Sequence, residues 1–193
     1  MFNFNTALAV ASLTALTGAA PNYVPANNTE IPTIFKPATL IPFLHMEQLT
    51  SFPTNVTTIE GITARYPNLG GTVSGALEGS IVDIGSAYEL LPTAGEGVYS
   101  FYTNTFTINT TDALLHMDAR ATIQYGNNAL HGFGTVTFST DSPKYLSLNW
   151  GSYVAEFEAN FNSGTGSIDV FELKYTGKKD GTETPALVKP EEA

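Results

Sequence analysis

Residues 98–124 read VYSFYTNTFTINTTDALLHMDARATIQ, and this stretch decides the fold of the 193-residue chain. Side chains of different character alternate along both halves of it, and β-branched and aromatic residues are frequent. Alternation of this kind is the spacing of a β-strand, whose successive side chains point to opposite faces. The polar segment at 109–112 separates the halves as the turn of a β-hairpin does. The sequence therefore predicts two antiparallel strands joined at this turn.

Further strand patterns lie on both sides of this hairpin. They cover 40–50, 59–65, 72–84 with a break near Gly75 and Gly79, 86–91, 132–139, 145–149, 152–161 and 167–175. Turn-forming residues recur at short intervals, and no long window beyond the N-terminal segment has a helical period. We expect an all-β fold, a single antiparallel β-barrel of the calycin or lipocalin-like type with nine or ten strands. Gly70, Gly71, Gly75 and Gly79 are interpreted as bulges and bends at barrel corners.

The two ends of the chain differ from this strand-rich region. Residues 1–20 carry no charge, have an apolar centre and end in small residues, which is typical of a secretory signal peptide. Residues 21–37 are interpreted as a flexible lead-in and residues 177–193 as a polar tail. The β-barrel domain is therefore expected over 38–176, in a protein that is secreted or held in the lumen of the secretory pathway.

Glycosylation and charge narrow the range of partners. Three N-glycosylation sequons begin at Asn27, Asn55 and Asn109. The chain has no cysteine, so its stability has to come from its core. A net charge of −10 repels phosphate backbones and anionic lipid head groups, and we expect neither nucleic acid nor a membrane as a partner. Aromatic residues make up 11% of the chain and can line a cavity for a small apolar or conjugated organic molecule. The sequence leaves open whether the protein forms a homodimer.

Three segments resemble a family of small antiparallel, calycin-like β-barrel proteins of unknown function. They are the glycine-rich run 70–79 with its continuation to Leu91, the hairpin 106–115, and 141–149 with the closing strand 168–173. The chain also resembles secreted fungal hetero-Diels-Alderases of tropolone-sesquiterpenoid biosynthesis in its general sequence pattern, its signal peptide and its sequons. This resemblance implies cyclisation chemistry inside a barrel. Around 86–87 and 99–102 small and aromatic residues replace charged ones of the family, which favours a more apolar ligand.

Several kinds of catalytic machinery have no support in the sequence. There is no Gly-x-Ser-x-Gly elbow, no cysteine nucleophile and no pair of histidines at metal-ligand spacing. The pair Gly164 and Gly166 falls in a turn between predicted strands, which does not fit a dinucleotide site. We therefore expect no cofactor and no metal.

Polar residues two apart on one strand are the candidate catalytic groups. His116, Asp118 and Arg120 would present an acid, a base and a cation to one cavity if their face points inward. The alternative is that they form the solvated outside of the barrel. The candidate substrate-binding residues are His45, Glu47, Arg65, Tyr88, Tyr99, Tyr102 and Trp150. Each of these residues has an alternative interpretation. The aromatic residues can fill the core instead, Arg65 can be a charge on the rim of the barrel, and His45 and Glu47 can lie on the solvated outer face.

Two functions follow from these candidates. The first is a cofactor-independent cyclase or pericyclase, carrying out an intermolecular hetero-Diels-Alder reaction between a quinone-methide-type polyketide and a terpene. Proximity and orientation can supply about 7 to 11 kcal/mol for such a reaction, and one or two hydrogen-bond donors on a carbonyl would assist it. The alternative is a non-catalytic, lipocalin-like carrier of an apolar metabolite. A carrier predicts a wholly apolar lumen, whereas a cyclase predicts at least one inward donor.

Overall fold

The computed structural model describes residues 33–93, 99–160 and 163–184. The chain divides into two contact units, Met1–Ile34 and Phe35–Ala193, and the second unit contains every described strand. The expected signal peptide over 1–20, most of the lead-in and the end of the tail lie outside the described residues. Within the described ranges no helix is long and apolar enough to cross a membrane.

Strands make up most of the described chain. In order they are β1 (Thr39–Thr50), β2 (Thr54–Thr57), β3 (Gly61–Gly75), β4 (Gly79–Ile81), β5 (Ser86–Pro92), β6 (Tyr99–Thr110), β7 (Leu114–Gly126), β8 (Ala129–Ser139), β9 (Tyr153–Asn160) and β10 (Thr165–Lys174). A 3₁₀ helix, Leu146–Trp150, stands where the sequence predicted a strand over 145–149, so that prediction was wrong. The short strand β2 was not predicted.

The sheet closes on itself through antiparallel pairings. From β1 it continues through β10, β9, β8, β7 and β6 in hydrogen-bonded order. Both β4 and β5 pair with β6 on one side and with β3 on the other, and β3 pairs with β1 to complete the ring. The predicted antiparallel β-barrel is therefore confirmed, with ten strands in the described residues.

Glycines allow β3 to bend as it changes neighbours. Its first half pairs with β2 and β5, and its second half pairs with β1 and β4. Gly70, Gly71 and Gly75 have φ angles of 118°, 147° and 118°, a region that side chains with a Cβ rarely adopt. A Cβ on Gly71 would lie 2.0 Å from the carbonyl oxygen of Glu47, because β1 passes that close. The interpretation of these three glycines as bends is confirmed.

Apolar side chains fill the end of the barrel that contains the β6–β7 turn. The rings of Phe43, Phe138 and Tyr153 contact one another, with centroids 4.9 to 6.0 Å apart. Leu148 of the 3₁₀ helix is buried in the same cluster. Burial of this apolar surface is the main source of stability for a chain without disulfides.

Replacing Gly71 by alanine is expected to lower the free energy of unfolding by roughly 3 kcal/mol, because the new Cβ collides with β1 and the backbone angle becomes strained. Urea unfolding measures the loss. Gly126→Ala is the matched control, since nothing lies within 4 Å of the position its Cβ would take. The control should change stability by no more than about 0.5 kcal/mol. Equal stabilities of the two variants would contradict the close approach of β1 to β3.

Candidate functional site

The two faces of β7 decide the first set of candidates. Leu115 and Met117 are fully buried in the barrel core, whereas His116, Asp118 and Arg120 are exposed on the outer face. There the Thr105 hydroxyl donates to an Asp118 carboxylate oxygen at 2.7 Å. The expectation that these three polar side chains face the lumen is wrong. The apolar face is the one that gains from leaving water, so it turns inward and the charged face stays solvated.

His45 and Glu47 also lie on the outer face, where they form a surface cluster with β10. His45 contacts Asp169 through Nδ1 at 2.7 Å and Glu47 through Nε2 at 3.0 Å. The hydrogen bond to Asp169 is the main cause that raises the pKa of His45 above its ordinary value. The Ser167 hydroxyl donates to Glu47 at 3.0 Å. The expectation that this pair faces a lumen was therefore wrong, because Leu44 and Met46 are the inward residues of this strand.

The remaining predicted residues separate by face. Arg65 lies 5.5 Å from the ring centre of Tyr88, and this pair sits on the outer face of β3 and β5. Tyr99 is 40% exposed and Trp150 is 73% exposed. These four do not line the lumen, in contrast to the expectation. Tyr102 does point inward, and its ring packs 5.6 Å from that of Phe157.

A set of inward polar side chains lies at the end of the lumen opposite the apolar cluster, and of its members the sequence predicted only Tyr102. We call it the lumen polar cluster; its members are Gln48, Tyr66, Asn68, Glu89, Ser100, Tyr102, Asn104 and Tyr125. They come from five strands, β1, β3, β5, β6 and β7. No fully buried side-chain nitrogen or oxygen in the described part of the chain lacks a hydrogen-bond partner. Such a network is rigid, because each member holds the next in place.

Glu89 is the acidic group of this cluster and is only 1% exposed. Its Oε2 accepts hydrogen bonds from the hydroxyls of Tyr66, at 3.2 Å, and Tyr125. Tyr125 in turn lies 3.0 Å from the Ser100 hydroxyl. Burial raises the pKa of Glu89, and the two tyrosine hydrogen bonds oppose that rise only in part. Burial also raises the pKa of both tyrosines. Burial thus disfavours the charged form of the Glu89 carboxyl and of both phenols.

The second part of the cluster is built from amides. Gln48 donates to Asn68 at 2.8 Å, and Asn68 and Asn104 form a reciprocal pair at 3.1 and 3.2 Å. Asn104 also donates to the Tyr102 hydroxyl oxygen at 2.8 Å. Tyr102 lies directly across the β5–β6 ladder from Glu89. The acid and the amides thus belong to one site.

Apolar side chains surround this site at the mouth of the barrel. Ile62 and Leu91 are paired across β3 and β5 on the inward face, and Leu130 is paired with Tyr125 across β7 and β8. Ile62 is 45% exposed, and Leu91 and Leu130 are half-buried. Tyr66, Tyr102 and Tyr125 of the cluster are half-buried as well. An apolar rim over a few convergent polar groups is the usual form of a small-molecule site.

The alternation along β5 and β6 places several of these polar residues on the same face as core residues. Ser100, Tyr102 and Asn104 share a face with Phe106 and Ile108, which are fully buried. On β5, Glu89 falls on the same face as Ala87, which is also buried. A polar residue in register with a core face is a candidate for a buried polar site.

Two of the three sequons can be located on the surface. Asn55 on β2 and Asn109 near the end of β6 are both exposed. Asn27 lies outside the described residues. In the described ranges no group of three or more His, Asp or Glu side chains is arranged to hold a metal ion.

Comparison with known proteins finds similarity at the level of fold. No protein-family model and no curated protein matches the chain. A protein of unknown function from Clostridium acetobutylicum is 15% identical, with a TM-score of 0.64 over 71% of this chain and 99% of its own. A beta-barrel like protein from Acinetobacter baumannii is 20% identical, with a TM-score of 0.63 over 75% of this chain and 99% of its own. An enzyme from Penicillium herquei is 17% identical, with a TM-score of 0.54 over 75% of this chain and its own full length. At these identities the likeness shows the β-barrel fold alone.

Glu89→Gln should remove a pH-dependent loss of stability. Because the pKa of Glu89 is raised above its ordinary value of 4.5, the folded protein holds this proton more tightly than the unfolded chain does. The contribution of Glu89 to stability is therefore fully present below pH 4.5 and is lost as the pH rises through the folded pKa. Glutamine stays neutral and can still accept from both tyrosines. The free energy of unfolding of the variant, relative to wild type, should rise with pH and then level off.

Urea unfolding at intervals between about pH 4 and pH 8 measures this difference. Glu158→Gln is the matched control, because Glu158 is exposed on the outer face of β9. A Glu89→Gln difference that does not change with pH would contradict a buried acid with a raised pKa.

Proposed function

We propose that the protein is a cofactor-independent cyclase that holds small organic substrates in the mouth of its barrel, with Glu89 as the acid. The observation that supports this most is the buried carboxyl of Glu89, held by Tyr66 and Tyr125 inside the lumen. A cyclase requires at least one inward donor beside its substrate, and this cluster supplies several. The acid takes the role that the sequence had suggested for His116, Asp118 and Arg120.

The reaction proposed is a hetero-Diels-Alder addition of a quinone-methide-type polyketide to a terpene. One C–C bond and one C–O bond form, no atom leaves, and no oxidant or reductant is consumed. A neutral carboxylic acid that donates a hydrogen bond to the carbonyl oxygen of the quinone methide stabilises the negative charge that develops there. Oε2 of Glu89 is occupied by the two tyrosines, so the proton of the acid resides on Oε1.

The apolar rim suits the second reactant. Ile62, Leu91 and Leu130 offer hydrocarbon contacts to a terpene while the cluster beneath them holds the polar partner. Holding two reactants in a fixed geometry can contribute about 7 to 11 kcal/mol to the rate. Exclusion of water from an apolar mouth strengthens the hydrogen bond to the carbonyl.

The second candidate function is a carrier of an apolar metabolite. The observation that favours it is that the buried polar atoms of the described residues are already paired with one another. A fully paired network can serve to fix the fold without taking part in chemistry. The apolar rim would then supply most of the binding energy.

We also propose that the protein acts in the secretory pathway or outside the cell. The exposure of Asn55 and Asn109 supports this, because an acceptor asparagine has to be accessible. A small apolar or conjugated molecule is the proposed partner; the net charge of −10 disfavours nucleic acid and anionic membranes.

The deciding experiment incubates the glycosylated protein with a humulene-type alcohol and a tropolone quinone-methide precursor. Product yield and enantiomeric excess are compared with a reaction without protein. A single enantiomer formed above the background rate is expected from a cyclase. Racemic product at the background rate, together with binding of either compound in equilibrium dialysis, would instead identify a carrier.

Glu89→Gln should lower the rate of product formation at least about tenfold, because an amide is a weaker hydrogen-bond donor than a carboxylic acid. Glu158→Gln is the matched control and should keep the wild-type rate, since Glu158 points into solvent from β9. Equal rates for the two variants would remove Glu89 from the reaction.

A further inference from the structure

The direction of hydrogen-bond donation is fixed for each amide of the lumen polar cluster. A main-chain carbonyl sets it. Asn68 Nδ2 lies 3.0 Å from the carbonyl oxygen of Thr105. A carbonyl can only accept, so the Asn68 side chain has to present its nitrogen to Thr105. Its Oδ1 then faces Gln48 Nε2, at 2.8 Å. The orientation of Asn68 is thereby determined.

The orientation of Asn68 fixes that of the next amide, Asn104. Asn68 Nδ2 donates to Asn104 Oδ1 at 3.1 Å, and Asn104 Nδ2 donates back to Asn68 Oδ1 at 3.2 Å. This places the second Nδ2 hydrogen of Asn104 toward the hydroxyl oxygen of Tyr102, at 2.8 Å. Tyr102 is therefore the acceptor in this contact. Its own proton has no acceptor among the described residues.

The surroundings of Tyr102 indicate what can accept that proton. Its ring packs against Phe157, and Glu89 is its neighbour across the β5–β6 ladder. Arg65 and Arg120 are exposed on the outer face of the barrel. Lys174 is exposed at the end of β10 that pairs with Thr39, far along the strand from the cluster, and it forms an ion pair with Glu172. A carboxylate or phosphate would find no counter-charge there. A neutral acceptor oxygen on a flat conjugated ring fits both the hydroxyl and the aromatic wall.

We propose that Tyr102 is a ligand-binding residue whose hydroxyl donates a hydrogen bond to the carbonyl oxygen of a conjugated ketone, and that Asn68 and Asn104 are positioning residues that force this direction of donation. The proposal rests on the proposed function in so far as it places the ligand in the same mouth of the barrel. It adds a second donor beside Glu89 and defines the ligand as a neutral ketone. Burial raises the pKa of Tyr102, so the phenol keeps its proton at neutral pH.

The first test compares a ketone with its hydrocarbon analogue, using α-tetralone and tetralin as probes. Equilibrium dialysis measures both dissociation constants on wild type, Tyr102→Phe and Tyr88→Phe. Tyr102→Phe should bind α-tetralone about tenfold more weakly than wild type and tetralin equally well. Tyr88→Phe loses a phenol on the outer face and should bind both as wild type does. Circular dichroism and urea unfolding check that each variant is folded.

The second test observes the hydrogen bond itself. With α-tetralone labelled by carbon-13 at its carbonyl, the infrared stretch of the bound ketone should lie at lower frequency in wild type than in Tyr102→Phe. Asn104→Asp replaces the amide donor by an acceptor, so Tyr102 should turn its proton to that carboxylate. The ketone stretch should then move to the Tyr102→Phe position although the phenol is still present. If the aspartate variant does not fold, Asn104→Ser removes the amide donor without adding a charge; the Tyr102 hydroxyl then loses its fixed direction, and the ketone stretch should move part of the way toward the Tyr102→Phe position.

These outcomes separate the inference from the proposed function. Equal binding of α-tetralone to Tyr102→Phe and Tyr88→Phe, or no binding to wild type, overturns the role of Tyr102. An unchanged stretch in both Asn104 variants overturns the positioning role of the amides. Neither measurement needs turnover. A protein that binds the ketone through Tyr102 but forms no product supports this inference and rejects the cyclase.

Discussion

The hydrogen bond from Asn68 to the Thr105 carbonyl connects the closure of the barrel with the contents of its lumen. Two short strands, β4 and β5, share the space between β3 and β6, and they leave a break. Strand β4 ends opposite Ile108, and the first β5 residue paired with β6 is Ala87, opposite Asn104. In the break between them the Thr107 carbonyl accepts from the Val82 N–H, whereas the Thr105 carbonyl faces no strand. The Asn68 side chain satisfies that carbonyl in place of a neighbouring strand. This contact is part-buried, and the same Asn68 amide also orients Asn104 and, through it, Tyr102.

Polar residues in the lumen are compatible with stability because the two ends of the barrel are packed differently. The end with Phe43, Phe138, Tyr153 and Leu148 is apolar and is covered by the 3₁₀ helix. The other end gives up apolar contacts for a paired network, which contributes little net stability but holds its members in one arrangement. Fixed donors are what a site needs in order to act on a carbonyl without rearranging. The main apolar packing and the proposed chemistry are thus located at opposite ends of one core.

The sequence predicts strands well here and their inward face poorly. Alternation placed β6 and β7 correctly, because a period of two persists over both strands. It does not state which face is inward, and His116, Asp118 and Arg120 were assigned to the lumen although the burial of Leu115 and Met117 turns them out. The sequence predicts a strand over 145–149, where the structure has the 3₁₀ helix Leu146–Trp150, because five residues are too few for periodicity to distinguish the two. Glu89 was missed since its partners Tyr66 and Tyr125 come from strands that only tertiary pairing brings together.

The three solved structures compared above share 15 to 20% identity with this chain, which indicates how little of a β-barrel depends on particular side chains. Strand pairing uses the backbone, and the apolar end requires only residues of suitable size. The inward positions near the mouth are under neither constraint, so their chemistry can vary from one barrel to the next. In this chain they hold an acid, three phenols and a set of hydrogen-bonded amides. The last amide, Asn104, donates to the Tyr102 hydroxyl oxygen and leaves the Tyr102 proton to point elsewhere. That proton has no acceptor in the described part of the protein, and this is why the proposed ligand is placed at Tyr102.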